Sequence, residues 1–179
     1  MKTGVKPGVM TDVVRLVTFR LGQDLFAADI ASVDRVLRYV APSHVPDVPM
    51  WIEGVIEHRG KVIPVVDMRR RIDLPLSDQS VTADTRILVL TTAEGWIGAI
   101  VDAVAEVAVI PADAVAAPPA LFRGLASHFL RGVARIRERL VVVLEMDRVL
   151  TSADRLTFEG VLDAAALKVA EHAAAGGRG

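Results

Sequence analysis

Apolar residues alternate with polar or small ones in about ten short runs, and this period of two predicts strands through most of the chain. Residues 14–21 form the first run. A Gly22-Gln23-Asp24 turn leads into 25–30, which predicts a hairpin, and a strand at 33–39 follows a short turn at Ala31-Ser32. Pro42, Pro46 and Pro49 make 42–49 a loop, since each proline removes a ladder donor. One helical turn is expected within 48–54. A second hairpin joins 54–59 to 62–67 through Gly60-Lys61, with Pro64 implying an edge strand or a bulge. Asp67 is placed to cap a short helix over 68–72. After a polar boundary loop at 73–84, strands are expected at 86–90, 96–101 and 104–110. A long segment, 111–127, carries Pro118-Pro119. The last hairpin joins 129–136 to 139–145, with Glu145 or Asp147 capping 148–150. Only 158–175 changes period: Phe158, Leu162, Ala165, Ala166, Val169 and Ala173 recur at helical spacing.

The second half restates the first. WIEGVIEHRGKVIPVVDMRRRI at 51–72 matches FLRGVARIRERLVVVLEMDRVL at 129–150 at an offset of 78. Gly54-Val55 falls on Gly132-Val133, and Asp67-Met68 on Glu145-Met146. RLVTF at 15–19 matches RILVL at 86–90 at an offset of 71, which also carries Val33 onto Val104 and Val36 onto Val107. A duplicated strand plan of about five strands per half predicts an all-β fold. We expect two similar five-stranded β-barrels packed face to face, with short helices and a C-terminal helix. The expected boundaries are a flexible tail at 1–12, a domain at 13–152 and a helix with a frayed end at 153–179. Within the domain the first barrel takes about 14–72 and the second about 86–146, the two sharing a core.

Bulk numbers narrow the class. The 179 residues are 52% hydrophobic but only 4% aromatic, so Val, Ile, Leu and Ala must build the core. A net charge of −1 argues against a protein made to neutralise nucleic-acid phosphates. The absence of cysteine excludes disulfides and thiolate metal sites and suits the cytoplasm. The first residues lack the apolar core of a secretory signal, and no apolar run reaches the ~20 residues that span a bilayer.

Candidate chemistry is sparse. The four histidines at 44, 58, 128 and 172 have no metal-ligand spacing, and no paired acid stands by Ser127-His128. Asp67 and Glu145 occupy matching repeat positions, which favours capping over acid–base work. The stretch from Gly54 to Val62 fails as a phosphate loop, with five residues between its glycines and Val62 where Ser or Thr should stand. Arg69-Arg70-Arg71 is the strongest basic run. It reads as a solvated helix face, because only Tyr39 and Trp51 are near enough in sequence to add stacking. Neither metal nor cofactor is expected. Arg59, at a tight turn, remains: it is either an anchor for an acidic or amidic partner or simply a solvated turn arginine.

Two blocks, Gly54 to Met68 (GVIEHRGKVIPVVDM) and Phe129 to Leu150, resemble the CheW adaptor family of bacterial chemotaxis-type signalling. The family pattern is G-V-x-N-x-R-G-x-x-x-P-V-x-D-L followed by Y-x-x-G-V and a closing R-L-x-x-L-L-D block. The similarity extends over about 14–152. It implies two five-stranded barrels and a non-enzymatic scaffold bridging a CheA-type histidine kinase and methyl-accepting chemoreceptors, reaching the membrane only through those receptors. It also implies that the groove between barrels takes the receptor's helical hairpin tip. Arg59 would be important there, and Val33, Gly54 and Val104 would border the groove. The kinase's related barrel would pack on an apolar edge that includes Ile97 and Ala99. Two positions depart from the pattern: Glu57 replaces the usual Asn, and Arg35 stands where an acid is usual. Both belong to the expected receptor surface, where reversed charge alters complementarity.

Two readings compete with the adaptor. One is a small β-barrel nucleic-acid binder using Arg59, Lys61 and Arg69 to Arg71. The other is a hydrolase or transferase with a site between the barrels, which needs an acidic or histidine cluster there.

Overall fold

The computed structural model describes residues 12–75, 80–118, 125–149 and 152–175. The expected tail up to residue 11, the middle of the boundary loop (76–79), the stretch after Pro118 (119–124), Leu150 and the end at 176–179 lie outside the described residues. The strands are β1 (Val13–Leu21), β2 (Asp24–Asp29), β3 (Val33–Arg38), β4 (Ile52–His58), β5 (Lys61–Asp67), β6 (Arg86–Thr92), β7 (Gly95–Val101), β8 (Ala103–Pro111), β9 (Leu130–Ile136) and β10 (Arg139–Leu144). The helices are α1 (Met68–Arg71), α2 (Leu125–Phe129) and α3 (Ser152–Ala175). Met50 and Trp51 form a turn, closed by Ile52 N–H donating to the Pro49 carbonyl at 2.9 Å, instead of the helical turn expected within 48–54.

The strands form two five-stranded sheets, ordered β8-β1-β2-β10-β9 and β3-β6-β7-β5-β4. Each order has two ends, so the sheets are open where closed barrels were expected. The first sheet takes strands from both ends of the chain and is called here the terminal lobe; the second, built from the middle, is the central lobe. This corrects the division at 14–72 and 86–146. β1 and β2 sit with β8, β9 and β10, while β3, β4 and β5 sit with β6 and β7. Each half thus gives its opening hairpin to one lobe and its other three strands to the other. Replacing every first-half strand by its repeat partner turns one sheet order into the other.

Alternation along the strands divides the interior into three cores. On β6, Leu88 and Leu90 face an inter-lobe core, while Ile87 and Val89 face the inside of the central lobe. β2 does the same, with Phe26 and Ala28 toward the inter-lobe core and Ala27 toward the inside of the terminal lobe. Phe19 and Leu21 of β1 join Ile97, Ala99 and Val101 of β7 in the shared core. Burying each large side chain there stabilises the lobe contact by about 1.5–3 kcal/mol, so the two sheets fold as one unit.

Both repeated hairpins are crossed by the loop before them. Ser43 bridges Val55, with N–H···O distances of 2.8 and 3.0 Å, and Ala116 bridges Val133 at 2.8 and 2.9 Å. Gly54 and Gly132 lie beneath these crossings. A Cβ at Gly54 would stand 2.2 Å from the Ser43 carbonyl oxygen, and one at Gly132 would stand 2.4 Å from that of Ala116. Pro64 lies on β5, an interior strand and not an edge. Pro64 pairs with Val55 on β4, and pairing of β5 with β7 begins one residue later, at Val65 opposite Gly98, so no rung to β7 needs the missing N–H.

Asp67 caps α1 as expected, accepting from Arg69 N–H at 2.9 Å. Its repeat partner Glu145 makes no side-chain cap. Instead of a solvated face, α1 presents a mostly buried one. Arg69 bonds Asp67 and reaches Asp102 at 2.9 Å, whose other oxygen accepts from Gly22 N–H at 2.6 Å. Burial opposes the Arg69 charge, but the hydrogen bond and charge of Asp67, helped by Asp102 and Glu53, hold its pKa above the ordinary value. α3 begins earlier than expected and turns Val161 and Ala165 into the inter-lobe core, whereas Ala166 faces solvent. The side chains of Phe158, Val169 and Ala173 lie outside the described residues.

Candidate functional site

The turn between β4 and β5 places Arg59 and Gly60 at φ +50° and +73°, the left-handed pair that suits a two-residue hairpin. From this fixed point the Arg59 guanidinium lies 3.4 Å from Asp34 on β3 and 5.6 Å from the centre of the Trp96 ring on β7. His58 Nε2 lies 3.4 Å from the other Asp34 oxygen, and its ring meets Trp96 edge-on at 5.1 Å. Lys61 covers Trp96 from 5.4 Å. Arg59 is therefore tethered and yet 46% exposed, so it is a positioned cation and not a free-swinging one. Asp34 stands one residue before Arg35, and it is this acid that holds the arginine.

β3 and β4 are the two ends of the central sheet, so the Asp34 contacts bridge its open seam. The terminal lobe repeats the device: Arg137, also at positive φ, reaches Glu106 on β8 at 2.8 Å. The partners there are otherwise different, since no aromatic ring contact accompanies Arg137 among the described residues.

Val33 on β3 and Val104 on β8 are half-buried against the inter-lobe core and mark the two sides of its open border. Val36 and Val107, related by the same offset of 71, are exposed on the same two strands, as is Val109. Register places Val36 opposite Leu88 and Val107 opposite Val17. Antiparallel partners share a face, so these valines continue the inter-lobe face outward. The inter-lobe core therefore ends in exposed valines on two edge strands, β3 and β8, and Arg35 on β3 and Glu57 on β4 are exposed as well. Of the residues expected from the sequence, Val33 and Val104 lie at this border and Arg59 at the β4–β5 turn; Asp34, His58, Trp96 and the outer valines were not among those expected. The offset that linked Val36 to Val107 was the available signal for the valines.

Three expected site residues change role. Gly54 is buried beneath the Ser43 crossing, so it shapes the hairpin and presents no surface. Ile97 and Ala99, expected on an outer edge, are 2% and 1% exposed and lie in the inter-lobe core. β7 is an interior strand whose outward face is covered by the other lobe, so neither side chain can reach a partner.

The basic run is spoken for internally. Arg69 and Arg71 are buried and paired with Asp67, Asp102 and Asp154, and Arg70 pairs with Glu53 at 2.7 Å. Phosphate recognition needs cations free to displace counterions, and these are neutralised already. His58 is buried behind Trp96, closed to a substrate. Among the described residues no group of three or more His, Asp or Glu is gathered to hold a metal ion, and no helix is long and apolar enough to cross a membrane.

Comparison with known proteins adds a family. The CheW-like domain model matches residues 15–154. A chemotaxis protein CheW of Treponema pallidum is 25% identical over 144 residues, covering 78% of this chain and 84% of that protein. The corresponding protein of Rhizobium meliloti is 28% identical over 140 residues, covering 78% and 89%. The crystal structure of the scaffolding protein TtCheW from Thermoanaerobacter tengcongensis superposes with a TM-score of 0.71 at 27% identity, covering 82% of this chain and 93% of that one.

Proposed function

This chain belongs to the CheW-like domain family, and from that premise we propose that it is a non-enzymatic adaptor in chemotaxis-type signalling, coupling methyl-accepting chemoreceptors to a CheA-type histidine kinase. The observation that carries the reading is the exposed valine row that continues the inter-lobe core onto edge strands β3 and β8, together with a half-exposed arginine tethered to Asp34 of β3. A surface of this kind suits a helix whose apolar stripe meets the valines while a polar residue meets the cation. The receptor's cytoplasmic hairpin tip has that form.

In this reading Val33 and Val104 meet the apolar stripe, together with Val36 and Val107, and Arg59 binds a carboxylate or amide on the tip. Arg35 and Glu57 flank the contact and set which receptor charges are accepted. The kinase meets a different surface through its own regulatory β-barrel. The adaptor works in the cytoplasm and approaches the membrane only through receptors, and no cofactor takes part.

The test is reconstitution with the cognate kinase and a receptor signalling fragment. Adding this chain should join the two and change kinase autophosphorylation. Arg59→Ala should weaken receptor coupling while kinase binding persists. If the wild-type chain neither links the two nor alters phosphorylation, the adaptor reading is wrong.

A further inference from the structure

We propose that the terminal lobe carries a second docking site, a groove for an amphipathic helix of a partner protein, at the position that α3 covers on the central lobe. It lies away from β3 and β8, among β2, β9, β10 and the chain just after α1. A cavity of about 300 Å³ opens there, lined by Phe26, Ile72, Leu74, Leu140, Val142 and Leu144, with Asp24 on its rim. The lining is almost wholly apolar, and Leu140 is left 65% exposed.

The duplication says what belongs in such a place. Leu140, Val142 and Leu144 on β10 are the repeat partners of Val62, Pro64 and Val66 on β5, and Phe26 is the partner of Ile97. On the central lobe that surface is occupied. α3 packs along β5, and its Val161 and Ala165 join Val66 and Ile97 in the core. After β10 the chain crosses to the central lobe and continues as this long helix. After β5 it crosses to the terminal lobe, where, among the described residues that follow α1, Ile72 and Leu74 line the cavity. One of two equivalent helix seats is thus filled by α3, and among the described residues the other holds only Ile72, Leu74 and a cavity.

The occupant is a helix from another protein and not a second copy's α3. That helix is engaged in its own chain through Val161, Ala165 and the Arg71–Asp154 pair. The charges at the vacant seat describe the visitor. Arg135 lies opposite Leu140 across the β9–β10 pair and so flanks the groove; its 3.4 Å pair with Glu138 is exposed and so weak enough to exchange for a partner's acid, and Asp24 also lines the cavity. A fitting helix carries small or medium apolar residues four apart, as Val161 and Ala165 are, with an acid toward Arg135 and a base toward Asp24.

A fluorescein-labelled peptide of residues 152–175 serves as the probe helix, titrated by anisotropy against the full chain. It carries four carboxylates and two Lys/Arg cations, and the tethered α3 outcompetes it for the central-lobe seat by effective concentration. Saturable binding is expected, weakened at least tenfold by Leu140→Glu and severalfold by Arg135→Glu, and unchanged by Val36→Glu on β3. Both principal variants alter exposed side chains, and equal melting temperatures would confirm that they fold. Absence of saturable binding would overturn the proposal, as would Leu140→Glu binding like wild type or Val36→Glu abolishing binding. Sedimentation of the unlabelled chain gives a second readout: self-association lost in Leu140→Glu would assign the groove to a second copy and overturn the partner-helix assignment.

Discussion

Arg59 and Asp34 meet at 3.4 Å across the open seam of the central lobe, joining the β4–β5 turn to edge strand β3. A half-exposed ion pair of this kind adds little stability, on the order of 0–1 kcal/mol. Its consequence is positional, because the carboxylate and the Trp96 ring restrict where the guanidinium can go. Asp34→Ala also strips buried His58 of its partner, so it should cost about 1–3 kcal/mol in urea denaturation, and it should reduce receptor coupling in the reconstituted kinase assay nearly as far as Arg59→Ala. Arg137→Ala breaks the equivalent Glu106 pair in the terminal lobe and should leave coupling at the wild-type level. Equal effects from Asp34→Ala and Arg137→Ala would mean that seam closure, and not the aim of Arg59, matters.

The crossings over the two hairpins predict a ranked series of glycine substitutions. Gly54→Ala sets a Cβ 2.2 Å from a backbone oxygen at φ +142°, and Gly132→Ala sets one at 2.4 Å. Neither neighbour is a flexible side-chain end, so the loop must lift, at a cost of roughly 2–4 kcal/mol. Gly60→Ala meets nothing within 4 Å and carries only the strain of φ +73°, about 1 kcal/mol. Chemical denaturation should rank the losses Gly54, then Gly132, then Gly60.

The strand plan was legible in the sequence because alternation and turn residues are local, and the offset of 78 carries β4 and β5 onto β9 and β10 residue for residue. The exchange of hairpins between lobes was not legible, for a reason of symmetry. Swapping repeat-equivalent strands leaves the sheet order unchanged, and β1 and β6 are apolar on both faces whichever lobe receives them. The same two-faced burial hid the fate of Ile97 and Ala99: an apolar strand reads alike whether its outer face meets solvent, a partner or the other lobe. Arg59 was found because a turn arginine followed by glycine stands out locally. Asp34 was not, because its contact depends on how near the two ends of the sheet come.

Asp67 and Glu145 hold equivalent positions, but their substitutions should differ sharply. Asp67 is buried, caps α1 and accepts from the Arg69 side chain at 3.2 and 3.0 Å. Asp67→Ala removes the main support for a buried guanidinium, and losses of about 3–5 kcal/mol attend such breaks. Glu145 makes no cap, so Glu145→Ala should cost less than about 1 kcal/mol. Thermal melts of the two variants, run side by side, check the contrast.

Arg71 is the residue on which the attachment of α3 turns. Its guanidinium lies 4.3 Å from the centre of the Trp51 ring and 5.1 Å from that of Phe129, two residues related by the repeat. Nε donates to the Val149 carbonyl at 2.7 Å, and Nη2 bonds Asp154 in the first turn of α3 at 2.5 Å. Burial pushes the Arg71 pKa below its ordinary value and Asp154 only partly restores it, so the charge rests on this one helix contact and on the ring faces. Lysine cannot stack and fork at once. Arg71→Lys should therefore fall well short of wild type, and Arg71→Ala should cost about 3–5 kcal/mol. Limited proteolysis should release α3 first in both variants, before the sheets are cut. A double-mutant cycle with Asp154→Ala should give a coupling of about 1–3 kcal/mol. Additive losses, or an α3 as resistant in Arg71→Ala as in wild type, would place the helix anchor in Val161 and Ala165 alone.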